Sequence, residues 1–426
     1  MAKKIQSILK EVLNKVNPPK EDLDRIDKFL VEFKDNFQKE IKKLKLDVSL
    51  FEGGSFAKKT IIKKDIYDSD IFVRFDEKYK EQNISKLTGK ILKKFKNVSV
   101  IHGSRDYFKI KKSKDFFIEL IPVIKVKNPK KAENITDLSY SHVKYINKKI
   151  KSQKVLDEIK IAKAFCYANN TYGAESYING FSGYAIELLV YYYGSFLKFI
   201  KEMIKHKDEK IIIDMEKYYK RKNDVLLDMN SSKLDSPLVV VDPTHKQRNV
   251  LAALSNETFE RFKKEAKKFL KNPSIKSFEI KKVDLEKIKK DSLEKKNEFI
   301  LLEAKTTKQE GDIAGSKLLK FYRHLDKEIS RFFEIKKKGF NYNGKKSARY
   351  FFVVNKKKEI LFEGPYIKDE KNVKSFKKMH KKTFSKSGKI YAKEKFNLSI
   401  NNFVKNWKKN YKRKVKEMSI IDLKIV

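Results

Sequence analysis

The chain has 426 residues, more than one ordinary domain and enough for two to four. Apolar residues make up 40% of it and aromatics 12%, with 31 Phe and 20 Tyr, which excludes a disordered chain in spite of 37% charged residues. Lys and Arg outnumber Asp and Glu by 101 to 56, a formal charge of +45 that points to a polyanionic partner such as nucleic acid, although the excess is nearly all Lys and A/T-rich codons would also favour it.

In chain order, Ile5, Ile8, Leu9, Val12, Leu13 and Val16 recur at helical spacing and predict an amphipathic first helix ending at "NPP". That periodic pattern is not a secretory leader, and no run of about 18 uninterrupted apolar residues follows, so a cytoplasmic protein without membrane spans is expected. A second helix carries Leu23, Ile26, Leu30, Phe33, Phe37 and Ile41 on one face. "DVSLFEGG" and "SDIFVRF" then read as strands, with Gly53-Gly54 between them, and "YFKI" and "FFIELIPVIKV" as two more joined by "KKSKD".

From about Asp157 the helical period returns. Cys166 is the single cysteine, which excludes an intramolecular disulfide and a cysteine-based zinc site; it lies among Ile161, Ala162, Phe165 and Ala168 and is expected to be a buried structural thiol. "LVVV" is a short strand before "DPTHKQRN". Later, "EFILLEAKT" reads as a strand, "SKLLKFYRHLDKEISRFF" as a helix, and "ARYFFVVNKKKEILFEGP" as a hairpin. A strongly basic end, "FVKNWKKNYKRKVKEM", follows.

The stretch "FEGGSFAKKTIIKKDIYDSDIFVRF" bears chemistry. Side chains alternate along a strand, so Asp68 and Asp70 share one face and repel unless a cation sits between them; hard carboxylate oxygens suit Mg²⁺. Upstream, Gly54 and Ser55 make a turn into a helix start suited to a phosphate. The D-x-D at Asp22 and Asp24 lies on the second helix and carries no such context. A third acid is expected from an adjacent strand. Glu119, flanked by Ile118 and Leu120, is a better candidate than the turn residue Asp115, because an unpaired charge in mid-strand is costly.

Gly54-Ser55 followed by Asp68-x-Asp70 resembles the nucleotidyltransferase domain of the DNA polymerase β-like superfamily. "TYGAESYINGFSGYAIELLVYYYGSF" and "VVVDPTHKQRNVLAALS" narrow the resemblance to the archaeal, class I, CCA-adding tRNA nucleotidyltransferases. The resemblance implies an α+β multidomain protein with a polymerase β-like nucleotidyltransferase domain, a helical central domain and C-terminal α/β body and tail modules. The expected divisions are 1–145 for catalysis, 146–268 for nucleotide and tRNA binding, and 269–426 for tRNA binding.

It further implies template-independent addition of CCA to the 3′ end of tRNA from CTP and ATP, with two Mg²⁺ ions. Asp68, Asp70 and Glu119 would form the metal-binding triad. Gly54, Ser55, Lys58, Ser139, His142, Lys163, Tyr172 and Arg248 would bind nucleotide. Lys58 stands where the family usually has Arg, and Glu119 where it usually has Asp. Within "NITDLSYSHVKYI", Asp137, Ser139 and His142 fit the family's pattern while Leu138 and Tyr140 depart from it. Oligomeric state stays open, and the resemblance is compatible with a homodimer. Two alternatives stand beside this expectation: another nucleotidyltransferase of the superfamily, such as a poly(A) polymerase, or a non-catalytic RNA-binding protein with a degenerate site.

Overall fold

Helices come first, as the apolar periodicity demands: α1 (Ala2–Val16) and α2 (Lys20–Lys43). In the computed structural model, which describes residues 2–426 apart from 104, 127–128, 130–131, 133, 207–209 and 282, the chain divides into two units, Met1–Lys281 and Lys282–Val426.

After α2 the chain lays down β1 (Val48–Glu52), the single-turn α3 (Gly54–Ala57), β2 (Tyr67–Phe75), α4 (Ile84–Ile91), β3 (Val98–Ile101), β4 (Tyr107–Lys111) and β5 (Phe116–Ile124). The five strands form one sheet in the order β1-β2-β5-β4-β3. Pleating sends alternate side chains to opposite faces. Tyr67, Ile71, Val73 and Phe75 of β2, with Phe116, Ile118 and Leu120 of β5, pack in one core with Ile26, Leu30, Phe33, Phe37 and Ile41 of α2. The positions between them, Asp68, Asp70 and Glu119 included, are left to the other face.

A second core follows, built by α5 (Ser139–Lys149), α6 (Gln153–Ala168), α7 (Gly183–Tyr193) and α8 (Phe196–Lys205). Beyond these come β6 (Ile211–Ile213), α9 (Lys222–Asp228), β7 (Leu238–Asp242), β8 (His245–Asn249) and α10 (Asn256–Lys271), the three strands forming a small sheet in the order β6-β7-β8. Helix α1 joins this core through Ile5, Leu9 and Val12, so the first segment packs on the helical block. The boundary expected at 268/269 falls inside α10, whose Phe269 is fully buried in the same core together with Phe262, and the first unit continues to Lys281. Cys166 is buried here, and burial pushes its thiol up to about 12, consistent with a packing role.

The second unit contains α11 (Leu285–Glu294), β9 (Glu298–Thr306), α12 (Asp312–Phe332), β10 (Phe333–Tyr342) and β11 (Ser347–Lys356). It continues with β12 (Glu359–Tyr366), α13 (Glu370–Met379), β13 (Thr383–Lys386), β14 (Lys389–Lys395), α14 (Ile400–Asn410), α15 (Lys412–Glu417) and β15 (Ile420–Ile425). Two sheets result, β10-β11-β9-β15 and β12-β14-β13. The hairpin expected across residues 348–365 is therefore not formed. β11 is flanked by β10 on one side and β9 on the other, which leaves no edge for β12, and β12 pairs with β14 instead. The true hairpin is β10–β11, turned at Asn343-Gly344 with Gly344 at φ +83°, a dipeptide that favours such turns.

Phe165 lies at the centre of the helical core, its ring 5.4–6.2 Å from those of Phe196, Phe262, Phe269 and Phe278. Phe165→Ala is expected to cost about 3–5 kcal/mol. Chemical denaturation followed by circular dichroism would show this as a lowered midpoint for the first unit, with Phe165→Leu losing less.

Candidate active site

Strands β2 and β5 are parallel neighbours, and their register sets Asp70 opposite Glu119 and Asp68 opposite Phe117. Three carboxylates thus share the sheet face turned away from α2. Burial, together with the charges of Glu119 and Asp68, pushes the Asp70 carboxyl up to about 7. Burial also raises Glu119. Asp115, the other acid considered, is engaged elsewhere: Arg25 donates to it at 2.6 Å and Ser113 at 2.7 Å, and its carboxyl is held below the usual range.

Glycine is required beside these acids. Gly54 adopts φ +64°, and a Cβ there would stand 1.9 Å from Oδ2 of Asp70. The N–H of Gly53 donates to the Asp70 carbonyl at 2.8 Å, so the turn is fastened to the strand that carries the acid. Ser55 follows in the same turn.

The donor set is three hard oxygen ligands with mutual repulsion, which is the chemistry a divalent cation neutralises. Lysines answer part of that charge in this structure. Lys64 reaches Asp68 at 3.4 Å and Lys109 reaches Glu119 at 3.6 Å. Among the described residues no three acidic, His or Cys side chains stand at coordination spacing as they lie; what fits a metal is the chemistry of the donor set and the strand register that puts Asp70 opposite Glu119.

Lys58 and Lys163 meet on a residue that the sequence reading did not single out. Glu187, fully buried on α7, accepts from Lys58 Nζ at 2.6 Å on one oxygen; the other accepts from Lys163 Nζ and the Thr60 hydroxyl, each at 2.7 Å. Lys163 also donates to the Thr60 hydroxyl at 2.7 Å. Burial alone would raise Glu187, but Lys163 and Lys58 hold it down to about 2, while burial lowers Lys163 to about 8. Tyr172 adjoins the same group: burial and the charges of Glu187 and Asp68 raise its phenol. The signal was present in "GYAIELLVYYY", where one acid stands among apolar residues and must find a partner.

His142 and Arg248 converge on a second unanticipated acid, Asp242, also fully buried. His142 Nε2 donates to it at 2.9 Å, Arg248 Nη1 at 2.5 Å and the Tyr184 hydroxyl at 3.3 Å. These partners and the backbone N–H of Thr244 hold the Asp242 carboxyl below the usual range against its burial, and burial lowers His142. The His142 ring stacks on that of Tyr184 at 4.2 Å, and Lys58 Nζ lies 5.8 Å from the Tyr184 ring, so Tyr184 joins the two clusters. Asp137 is taken by Arg105, which grips both its oxygens. Ser139 opens α5; neither its side chain nor that of Ser55 bonds to these clusters among the described residues.

Two outcomes follow. Gly54→Ala is expected to abolish activity with little change in circular dichroism, since its Cβ would occupy the Asp70 carboxylate position. For pH, Asp70 binds a proton in the folded chain up to about 7 but in the unfolded chain only up to its ordinary value of 3.8. Between those values the folded state holds the extra proton, so metal-free stability falls as pH rises through that window, by on the order of a few kcal/mol. Thermal melting should show that slope in the wild type and not in Asp70→Asn, and a divalent ion at pH 8 should raise the midpoint of the wild type alone.

Residues 157–279 match the family model for the second domain of tRNA nucleotidyltransferase. Among solved structures, the fold is similar to that of the Cid1 poly(U) polymerase, with TM-score 0.52 and 14% identity over 66% of this chain and all of that one. A cytoplasmic RNA terminal U-transferase gives 0.51 and 13% over the same shares. The CCA-adding enzyme of Nanoarchaeum equitans is 40% identical over 248 residues, 57% of this chain and 59% of that protein. That of Thermococcus gammatolerans is 29% identical over 64% of this chain and 60% of that protein. The CCA-adding enzyme of Methanocaldococcus jannaschii aligns far more fully, 30% identical over 403 residues that span 91% of this chain and 87% of that protein. The chain therefore belongs to the archaeal CCA-adding enzymes.

Proposed function

We propose that the protein adds C, C and A, in that order and without a template, to the 3′ end of tRNA, using CTP and ATP. The observation that carries this is the register of β2 and β5, which brings Asp68, Asp70 and Glu119 to one face beside the Gly54 turn. Two Mg²⁺ ions, held by those three carboxylates, would supply Lewis-acid neutralisation of the triphosphate and a lowered pKa for the attacking hydroxyl.

The chain's own groups do the rest. Gly54 and Ser55 present a close backbone approach at the triphosphate side. Lys58, Lys163 and Tyr172 would meet the phosphates as they build charge. His142 and Arg248, oriented by Asp242, would face the nucleotide base, with Ser139 at the start of α5 adding a hydroxyl. Lys58 would neutralise phosphate as a point charge, without the two-pronged grip of the family's usual Arg. Lys and Arg of the second unit, dense along α14 and α15, would track tRNA phosphates. A cytoplasmic homodimer fits the family, and sedimentation velocity would reveal the dimer.

Given tRNA lacking its 3′ end, the purified protein should incorporate CMP twice and AMP once, then stop. Open-ended incorporation of A would overturn the assignment. Asp70→Ala should reduce transfer by at least about a thousandfold, as expected when a metal ligand is lost, with tRNA affinity in a filter-binding assay nearly unchanged.

A further inference from the structure

Glu187 has a place in this site that its chemistry makes specific. It is one carboxylate serving two lysines, and all three groups are buried: Glu187 is 0% exposed, Lys163 2% and Lys58 8%. The bonds are unequal in kind. Lys163 directs its ammonium to Glu187, to the Thr60 hydroxyl and, at 3.3 Å, to the Thr60 carbonyl, which accounts for its three hydrogens. Lys58 makes one bond, to Glu187, and is the more open of the two.

Lys58 directly follows the Gly54–Ala57 turn, and Gly54 of that turn abuts the Asp70 carboxylate. The positive charges of Lys58 and Lys64 act on Asp70, and both also oppose the charge on Lys163. Three ammonium groups thus crowd one region, and the only carboxylate bonded to two of them is Glu187, among the described residues. Gly183, on the turn before Glu187, makes the space: a Cβ there would stand 2.9 Å from the Tyr172 hydroxyl and 3.8 Å from Lys163 Nζ.

We propose that Glu187 is a positioning residue of the nucleotide site, whose buried carboxylate holds Lys58 and Lys163 side by side and fixes both the place and the net charge with which they meet the triphosphate. This rests on the nucleotidyl-transfer assignment and deepens it. Glu187 touches neither nucleotide nor metal; it acts through the lysines. Its distance along the chain from Lys58 also makes it the tie between the connector following α3 and the helical core. The connector that places Lys58 is bonded there at two points, Lys58 and Thr60. With one negative charge against two positive, the pair presents a net single charge, enough to attract a triphosphate without trapping the pyrophosphate that must leave.

The test is Glu187→Gln, with wild type run in parallel on tRNA lacking its 3′ end and CTP binding measured by calorimetry. The expected result is a fall in kcat of at least about tenfold with CTP affinity unchanged or tighter, because the lysines lose their counter-charge but not their attraction for phosphate. Glu187→Asp, which keeps the charge but is one methylene shorter, should recover affinity toward the wild-type value and recover kcat only in part.

A merely structural role predicts a lowered melting temperature with kcat and KM of the folded protein within twofold of wild type, and that result overturns the proposal. If Glu187→Gln does not fold, Thr60→Val removes the hydroxyl that braces Lys163 and Glu187 while keeping the side-chain shape. It should lower kcat severalfold, and an unchanged kcat there likewise overturns the proposal. Failure of the wild type to add CCA would instead reject the assignment on which it rests.

Discussion

Asp70 and Glu119 stand opposite one another on adjacent parallel strands, with Asp68 two residues away on the same face, and their mutual repulsion is the constraint around which the first unit is arranged. Every other element near them can be understood as a response to that stored charge. The helices α2 and α4 take the opposite face of the sheet, where the side chains are mostly apolar and the small Ser69 is buried among them. The Gly53-Gly54 turn closes against Asp70 because any side chain at Gly54 would overlap the carboxylate. Lys64 and Lys109 each approach one of the flanking acids, as cations are drawn to a surplus of negative charge.

A second tier of charge lies deeper. Glu187 and Asp242 are both fully buried, yet their carboxyls stay ionised because each is surrounded by cations and hydrogen-bond donors. Desolvation makes a lone buried carboxylate costly, and burying it with its partners in fixed geometry turns that cost into orientation. Lys58 and Lys163 are oriented by one, His142 and Arg248 by the other. Tyr184, one helical turn before Glu187, touches both groups, so the face of α7 that begins at "GY" and runs to "E" spans the region between them. Within the long sequence motif there, Tyr184 and Glu187 each bond into one of the two charged groups.

Local pattern made much of the fold legible. The helices α1 and α2, the strands around the Asp pair, and the buried Cys166 follow from apolar periodicity that is satisfied within short windows. The β10–β11 hairpin carries a local mark, Asn343-Gly344, that the sequence reading passed over; in the run from Ala348 to Pro365 two apolar stretches flank a polar "NKKKE" segment and suggest the wrong partner. Strand pairing depends on which edges remain open, and β11 has none left for β12 because it lies between β10 and the earlier strand β9. The packing of α1 on the helical block has the same character. Its apolar stripe is visible in the sequence, whereas the surface that receives it lies more than a hundred residues downstream.

Taken alone, the sequence determined the chemistry available here: a glycine turn, two acids at strand spacing, a third acid in an apolar strand, and motifs specific enough to name a family. Those features are fixed by alternation and by steric exclusion, which act over a few residues. Only the tertiary structure decided what each charged group is bonded to. Lys58 and Lys163 were legible as candidates for phosphate, but the bond of each to Glu187 was not, nor was the capture of His142 and Arg248 by Asp242. A buried charge must find its counter-charge across the core, and its position along the chain does not say where that partner will be.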